Sequence, residues 1–298
     1  MNQCFAQKTQ TKSASAQLTR IANICLQSPV DCLVHVDKAL LSTPKKSRIY
    51  FEILQYKFES LFNLQKNDEL YLATKPWVNE PNLPIHFTVT NAIYFAKSAW
   101  HIGEKSAAKH SYHIAKNLLG KVNEEYPSPI RLVQFANLQM QLKEHQQAYN
   151  LMSALAHKYP NSPDTRFMTE LHGNLGHAAN QLGKTELALT HWQETKKWVY
   201  LFGNKQQIAV VLFNLADIYD QLEHYPAAEK SFKEAMAFSQ KAGDKMKENQ
   251  SRYRLLSTRL KQTQVCDNSL LFTTIEAQFL PNKPTYNLEK IKQELTVC

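Results

Sequence analysis

Glycine is scarce in this sequence, which has only seven glycines among 298 residues. Turn-rich β-sandwiches and barrels, and the glycine-lined loops that bind phosphates, require more of it. Long apolar runs are also missing, since the longest, Ile208 to Phe213, has six residues. A membrane-spanning helix needs about 20 apolar residues. These shortages argue against a β fold, a phosphate-binding loop and a membrane span.

Recognisable catalytic motifs are absent as well. The sequence contains no Gly-rich phosphate loop, no G-x-S-x-G and no H-E-x-x-H. His110 and His113 are three residues apart on a predicted helix and could share a metal, but no third ligand lies near them in the sequence. We therefore predict no catalytic residue, no metal site and no cofactor. An enzyme with an unrecognised site is the remote alternative.

Positive charge exceeds negative charge, with 35 Lys and Arg against 26 Asp and Glu, a net charge of +9 and a pI near 9.2. Such a balance can attract nucleic acid or anionic surfaces. The charge is scattered, however, and its short clusters are Lys45-Lys46-Ser47-Arg48 and Lys196-Lys197. We therefore do not expect a nucleic-acid partner.

The sequence has five cysteines: Cys4, Cys25, Cys32, Cys266 and Cys298. None of them forms a C-x-x-C pair or has zinc-finger spacing to a histidine. In one continuous helix Cys25 and Cys32 would lie about 10.5 Å apart along the axis, too far for a disulfide. Ser28-Pro29 between them can end one helix and start another, which would bring the two thiols face to face. A disulfide and two buried thiols at a helix contact are equal alternatives at this point.

The N-terminus bears on the oxidation state of these thiols. Cys4-Phe5-Ala6 has the small-x-small form of a signal-peptidase site, although no apolar segment precedes it. Cleavage after Ala6 would leave four cysteines, which could pair as Cys25–Cys32 and Cys266–Cys298. The sequence therefore favours an exported, periplasmic protein whose flexible residues 1–12 carry the remnant of an export signal. A cytoplasmic protein with five free thiols is the alternative.

One pattern recurs four times between residues 85 and 243, each copy 40 residues after the last. Its clearest column consists of four alanines: Ala108, Ala148, Ala188 and Ala228. A large residue follows four positions later: Tyr112, Met152, Trp192 and Phe232. Within each copy the apolar residues recur at the period of an amphipathic helix. Each copy therefore predicts two helices that must stack on neighbouring copies to cover their apolar sides.

These residues resemble the tetratricopeptide repeat family. One group that matches its motif is Leu175-Gly176, Gly183, Ala188 and Trp192, and a second is Leu215-Ala216, Tyr219, Tyr225, Ala228, Phe232 and Ala235. The usual repeat of the family has about 34 residues, so this is a long variant with a 40-residue period. The resemblance implies an all-α fold, a right-handed α-solenoid of stacked antiparallel helix pairs.

The pattern also divides the chain into parts. After residues 1–12 we predict two degenerate helix pairs in 13–84, four clear repeats in 85–243 and a capping helix in 244–264. Residues 265–298 do not continue the repeat, and this tail could cover the last helix or lie in the groove of the solenoid.

The resemblance further implies a binding groove, because relatives hold peptides on the concave side that their first helices line. The predicted partner-binding residues on this side are Lys97, Trp100, Asn137, Asn174, His177, Asn214, Asp217, Tyr253 and Arg254. Asn174 and Asn214 occupy the place where peptide-binding relatives carry a backbone-clamping asparagine, and Asn137 matches a second such position. An amide suits this role because it both donates and accepts a hydrogen bond.

We therefore predict a non-enzymatic module that binds a protein or an extended peptide, as an extracytoplasmic sensor or scaffold unit. Relatives that bind chaperone tails carry cations where this chain has Val133, Gly173 and Val210, so an adaptor of that kind is not expected. The alternative function is a cytoplasmic adaptor or peptide-responsive regulator. A further alternative is that the polar groove residues only contact solvent.

Overall fold

The computed structural model describes residues 16–263, and within this range it contains helices and no strand. The helices are α1 (residues 16–27), α2 (Pro29–Ser42), α3 (Arg48–Asn63), α4 (Asn67–Thr74), α5 (Ile85–His101), α6 (Lys105–Glu125), α7 (Pro129–Gln141), α8 (His145–Lys158), α9 (Thr165–Gln181), α10 (Thr185–Phe202), α11 (Lys205–Gln221), α12 (Tyr225–Ala242) and α13 (Lys245–Thr263). A 3-10 turn, Lys75–Trp77, follows α4. The predicted all-α fold class is therefore confirmed. None of the helices in 16–263 is both long and apolar enough to cross a membrane.

Polar side chains fix several helix starts. Ser28 accepts a hydrogen bond from the Asp31 N–H at the start of α2, and Pro29 occupies the first helical position. Asp164 accepts from the Phe167 N–H at 2.9 Å to begin α9, and Asn204 accepts from the Gln207 N–H at 3.0 Å to begin α11. These side chains satisfy backbone donors that have no partner within the helix.

The turn between the two helices of each repeat has the same backbone conformation in all four copies. Gly103, Lys143, Gly183 and Glu223, spaced by 40 residues, all have a positive φ, between 60° and 94°. Glycine adopts this conformation without strain, whereas Lys143 and Glu223 adopt it at some cost. The repeat is therefore visible in the backbone as well as in the alanine column, whose four members are all 0% exposed.

The chain forms two compact units, and the division falls within α8, after Gln147. The N-terminal unit contains an aromatic cluster in which the rings of Phe51 and Phe87 lie 4.3 Å apart, with Phe58 and Tyr94 beside them. In this unit α5 contacts α3, α4, α6 and α7. A first helix covered on so many sides has little surface left for a partner.

The C-terminal unit is built around Trp192, which lies with Leu212 and Leu215 in a cluster between α9, α10 and α11. The indole of Trp192 lies directly against Gly176 of α9. A Cβ atom at Gly176 would come within 2.7 Å of Trp192 Nε1, so a glycine is required for this close approach. The small-and-large pairing that marks the repeat in the sequence is thus a packing contact between paired helices.

Candidate partner-binding site

The predicted partner-binding residues fall in both units. The N-terminal unit contains Lys97, Trp100 and Asn137, on α5 and α7. The C-terminal unit contains the other six: Asn174, His177, Asn214, Asp217, Tyr253 and Arg254. We therefore describe the site unit by unit.

Lys97 lies inside the N-terminal unit. Its side chain is 1% exposed, and its Nζ lies 4.2 Å from the ring centre of Phe62 on α3 and 5.3 Å from that of Tyr94. The expectation of an accessible groove lysine does not fit this burial, because α3 packs Phe62 against this side of α5. Trp100 is half-buried with the Lys105 Nζ 3.9 Å from its ring centre, and Asn137 is half-buried on α7.

Asp217 and Arg254 form an ion pair between α11 and α13, in which Arg254 Nε donates to Asp217 Oδ1 at 2.8 Å. The neighbouring buried Asp220 accepts from Thr258 Oγ1 at 2.8 Å and from Lys261 Nζ at 2.5 Å. Burial raises the pKa of Asp217, although the Arg254 charge opposes this shift. Both predicted residues thus hold α13 against α11. The anchoring role of Asp220 was not foreseen, and its only sequence signal is the D-x-x-D spacing of Asp217 and Asp220.

Two further predicted residues are engaged within the chain. Tyr253 of α13 is buried. Asn174 donates from Nδ2 to the Glu170 carbonyl oxygen one turn earlier in α9, at 2.8 Å. The spacing of four residues between Glu170 and Asn174 permits this local bond. A peptide would have to replace it in order to use both hydrogens of the Asn174 amide.

His177 has a different environment. Its side chain is exposed, yet its pKa is lowered to about 4 because the surrounding protein removes water from the charged form. The ring packs edge-to-face on Trp192, with the ring centres 4.7 Å apart. The ring thus contacts Trp192 on one side and remains exposed to solvent on another. At neutral pH the imidazole is therefore uncharged and offers one donor and one acceptor.

Asn214 is the half-buried asparagine on α11, and its amide makes no hydrogen bond with any residue of 16–263. The adjacent Phe213 packs on Phe232, with ring centres 5.6 Å apart. The Lys247 Nζ lies 4.3 Å from the Phe213 ring centre and donates to Gln250 Oε1 at 2.7 Å. Burial lowers the pKa of Lys247. This part of the C-terminal unit combines an unused amide with an aromatic ring and a partly desolvated cation.

The side chains of the described residues were also compared with the requirements of a metal site. Within 16–263 no group of three or more His, Cys, Asp and Glu side chains is placed to hold a metal ion. His110 and His113 are both exposed on α6.

A disulfide joins Cys25 of α1 to Cys32 of α2, with their Cα atoms 4.5 Å apart. The break at Ser28-Pro29 turns the chain so that the two residues meet, and it decides between the alternatives that the sequence left open. Cys266, Cys298 and the Cys4-Phe5-Ala6 segment lie outside the described residues, as does the tail 265–298. Their pairing and processing stay predictions.

A family model described as tetratricopeptide repeat matches residues 167–241, which correspond to most of α9–α12. Residues 167–241 are therefore tetratricopeptide repeats, as the sequence pattern predicts. A protein-interaction module is the coarse function that this family supports. The family as a whole provides non-catalytic scaffolds.

Several solved structures share the fold of this chain. A Rap protein complexed with Competence and Sporulation Factor matches with a TM-score of 0.63 and 15% identity, over 90% of this chain and 77% of Rap. The apo form of RapI matches with a TM-score of 0.61 and 14% identity, over 96% of this chain and 79% of RapI. A signal-transduction ATPase with a tetratricopeptide repeat sensor, from Pyrococcus horikoshii, matches with a TM-score of 0.59 and 14% identity, over 94% of this chain and 46% of the ATPase.

These identities establish a common fold and nothing about ligands. The predicted class of stacked helix pairs, an α-solenoid, is thereby confirmed. A comparison with curated protein sequences gives no significant match.

Proposed function

We propose that this protein is a non-enzymatic binding module whose C-terminal unit holds an extended peptide or partner segment against α9 and α11. The observation that carries the proposal is the Asn214 amide, which is half-buried on a first helix and makes no hydrogen bond within residues 16–263. Partial desolvation of an amide without a protein partner is energetically unfavourable, and a peptide backbone that hydrogen-bonds to the amide can remove this penalty. The N–H and C=O groups of one peptide unit match its acceptor and its donors, whatever side chains the peptide carries.

The surroundings of Asn214 support contacts to peptide side chains. Phe213 offers an aromatic ring on the same helix, and His177 offers an uncharged, solvent-exposed imidazole on α9. Asp217 and Arg254 neutralise each other at 2.8 Å, so they do not select strongly for a charged ligand. These features favour a ligand that is held mainly by its backbone and by apolar or aromatic side chains.

The role of an extracytoplasmic sensor or scaffold belongs to the same proposal. The Cys25–Cys32 disulfide supports it, because disulfides persist in oxidising compartments and are rare in the cytosol. The Rap complex supports the binding role as a precedent, since a protein of this fold was solved together with its factor. Thiol titration of the unreduced protein tests the compartment: five free thiols would contradict export.

The binding role is tested with the full-length protein on an array of short peptides, followed by fluorescence anisotropy on the best binders. We expect Asn214→Ala to weaken binding about tenfold, the effect of losing roughly 1.4 kcal/mol of hydrogen bonding. Asn174→Ala should have a smaller effect, because its amide already bonds Glu170. The matched control is Asn117→Ala, which removes an exposed asparagine on α6.

The proposal fails if no peptide binds, or if Asn214→Ala and Asn117→Ala bind as the unmodified protein does. Circular dichroism and thermal melting of both variants show whether any loss reflects misfolding. Asn214 is only half-buried, so its truncation is expected to leave the fold intact.

A further inference from the structure

Helix α2 carries apolar side chains on two opposite sides. One side is buried in the N-terminal unit and consists of Cys32, Val36 and Ala39. The opposite side carries Val30, Val34 and Leu41, which are 59%, 66% and 91% exposed. At 3.6 residues per turn these three lie within an arc of about 40° and form a stripe about 16 Å long. Exposed apolar side chains that share one face of a helix, rather than lying scattered, indicate an interaction surface.

Two charged residues of opposite sign flank this stripe on the same edge. Asp31 and Lys38 are both exposed, and they lie within about 20° of each other around the helix and about 10.5 Å apart along it. Within residues 16–263 neither charge has an ion-pair partner, and the contacts of Asp31 are made by its backbone. On the other edge Asp37 is paired with Lys57 of α3 at 2.6 Å. The unpaired charges are therefore one acid in the N-terminal half of α2 and one base in its C-terminal half.

We propose that the stripe of Val30, Val34 and Leu41 docks against the same stripe of a second copy of this chain, with the two α2 helices antiparallel. A two-fold axis near position 35 places Val30 beside the second copy's Leu41. The same axis places Asp31 beside the second copy's Lys38, because the midpoints of both pairs lie within one residue of that position. Each of these contacts forms twice, since a two-fold interface is self-complementary.

The charge pattern favours this occupant and this orientation. In an antiparallel pair of helices each edge meets the same edge of its partner, so the acid of one copy meets the base of the other. A parallel pair would instead place Asp31 against Asp31 and Lys38 against Lys38, which is unfavourable. The Asp37 charge is neutralised by Lys57 within its own copy, so it does not oppose the contact.

The expected dimer is weak. A contact confined to one 14-residue helix from each copy is smaller than the roughly 800 Å² per partner of a standard stable interface. We therefore expect a dissociation constant on the order of 100 µM. Such a dimer forms only in concentrated protein or where another contact raises the local concentration.

Sedimentation equilibrium of the full-length protein, up to about 1 mM, measures this association. The protein carries Cys4→Ser/Cys266→Ser/Cys298→Ser, which keeps the Cys25–Cys32 bond and excludes dimers linked by the other cysteines. Val34→Asp should weaken the dimer at least about tenfold, because it places two like charges beside the axis. The matched control is Leu72→Asp on α4, where a leucine that is 68% exposed lies outside the stripe. Circular dichroism shows whether each variant is folded.

Reversal of the flanking charges tests the orientation. Asp31→Lys and Lys38→Asp should each weaken self-association about tenfold, because each brings like charges together at two places. An equimolar mixture of these two variants should associate as the unmodified protein does, and so should the double variant Asp31→Lys/Lys38→Asp. Loss of helix stability in a single variant cannot produce this recovery.

Three results would overturn the proposal. The first is a protein that stays monomeric throughout the concentration range, which would leave the stripe to another occupant or to solvent. The second is a dimer that Val34→Asp leaves intact, which would place the interface elsewhere. The third is a failure of both the mixture and the double variant to recover association, which would exclude the antiparallel pairing of α2.

Discussion

Helices α11 and α13 both occupy the first-helix position of a repeat, yet they are held in the C-terminal unit by different chemistry. Helix α11 buries Leu212, Leu215 and Ile218 in the cluster around Trp192. Helix α13 buries mainly polar side chains, among them Glu248, Ser251 and Thr258, and Leu255 joins the small cluster with Phe232. The same repeat geometry can thus be stabilised by apolar burial or by a charge network around Asp220. Added salt should weaken the charge network through its solvent-exposed member Lys261, and it does not screen the apolar contacts.

Among the variants that test this comparison, Trp192→Ala should cause the largest loss of stability. Trp192 is 3% exposed and joins α9, α10 and α11, so its removal leaves a cavity that the surrounding helices fill only in part. We expect a loss of about 3–5 kcal/mol in the free energy of unfolding, measured by urea denaturation. A loss below about 1 kcal/mol would contradict the assignment of this cluster as the main core of the unit.

Asp220→Ala should lower the free energy of unfolding by less than Trp192→Ala does, and it should destabilise mainly α13. The substitution leaves Arg254, Thr258 and Lys261 without their shared acceptor. We expect a loss of about 2–3 kcal/mol, below the value for a fully buried ion pair because Lys261 is partly in water. Exchange measurements should show lost protection in α13 and retained protection in α11.

The matched control for Asp220 is Glu229→Ala, which removes a half-buried carboxylate of α12 that pairs with the exposed side chains of Arg259 and Lys233. We expect this change to stay within about 0.5 kcal/mol, as exposed ion pairs contribute little. High salt should weaken the protection of α13 more than that of α11. Equal loss of protection in both helices would contradict the distinction drawn between them.

Two glycine substitutions probe packing with opposite expected signs. Gly176→Ala places a Cβ within 2.7 Å of Trp192 Nε1, so we expect about 1–3 kcal/mol of destabilisation. Gly120→Ala on α6 has no atom within 4 Å of the added Cβ, and it should stabilise the protein by about 0.5–1 kcal/mol through the better helix propensity of alanine. Thermal melting measures both, and the same sign for both variants would refute the packing argument.

The sequence predicted the helix pairs well because the repeat constrains them locally. The alanine column and the apolar residue four positions later determine which sides of the two helices meet, and burial of Ala188 and Trp192 follows from that spacing. The family and the fold class could be predicted for the same reason.

The roles of individual polar residues were less predictable. Asp217 was placed on the correct helix, but its partner Arg254 is 37 residues away and lies on a helix outside the four clear repeats. Lys97 is buried because α3, from a pair whose pattern has drifted, packs Phe62 against α5. Contacts of this kind depend on how two helices are rotated about their axes, and apolar spacing alone leaves that rotation open.

The last prediction concerns the dependence of stability on pH, and it involves no change at neutral pH. His172 and His191 face each other across α9 and α10 with ring centres 5.9 Å apart. Burial lowers the pKa of both, that of His191 to about 4, and the His172 charge adds to the shift at His191. The unfolded chain, with an ordinary histidine pKa near 6.5, then binds more protons than the folded chain between pH 6.5 and about 4. Stability is therefore complete above pH 6.5 and falls as the pH is lowered through this window, by at most about 1.4 kcal/mol per pH unit for one histidine.

His191→Gln should make this decline in stability shallower, as measured by urea denaturation across that pH range. His113→Gln, on the exposed side of α6, should leave the decline unchanged. Equal slopes for the two variants would show that the half-buried His172–His191 pair does not set the acid sensitivity of the protein.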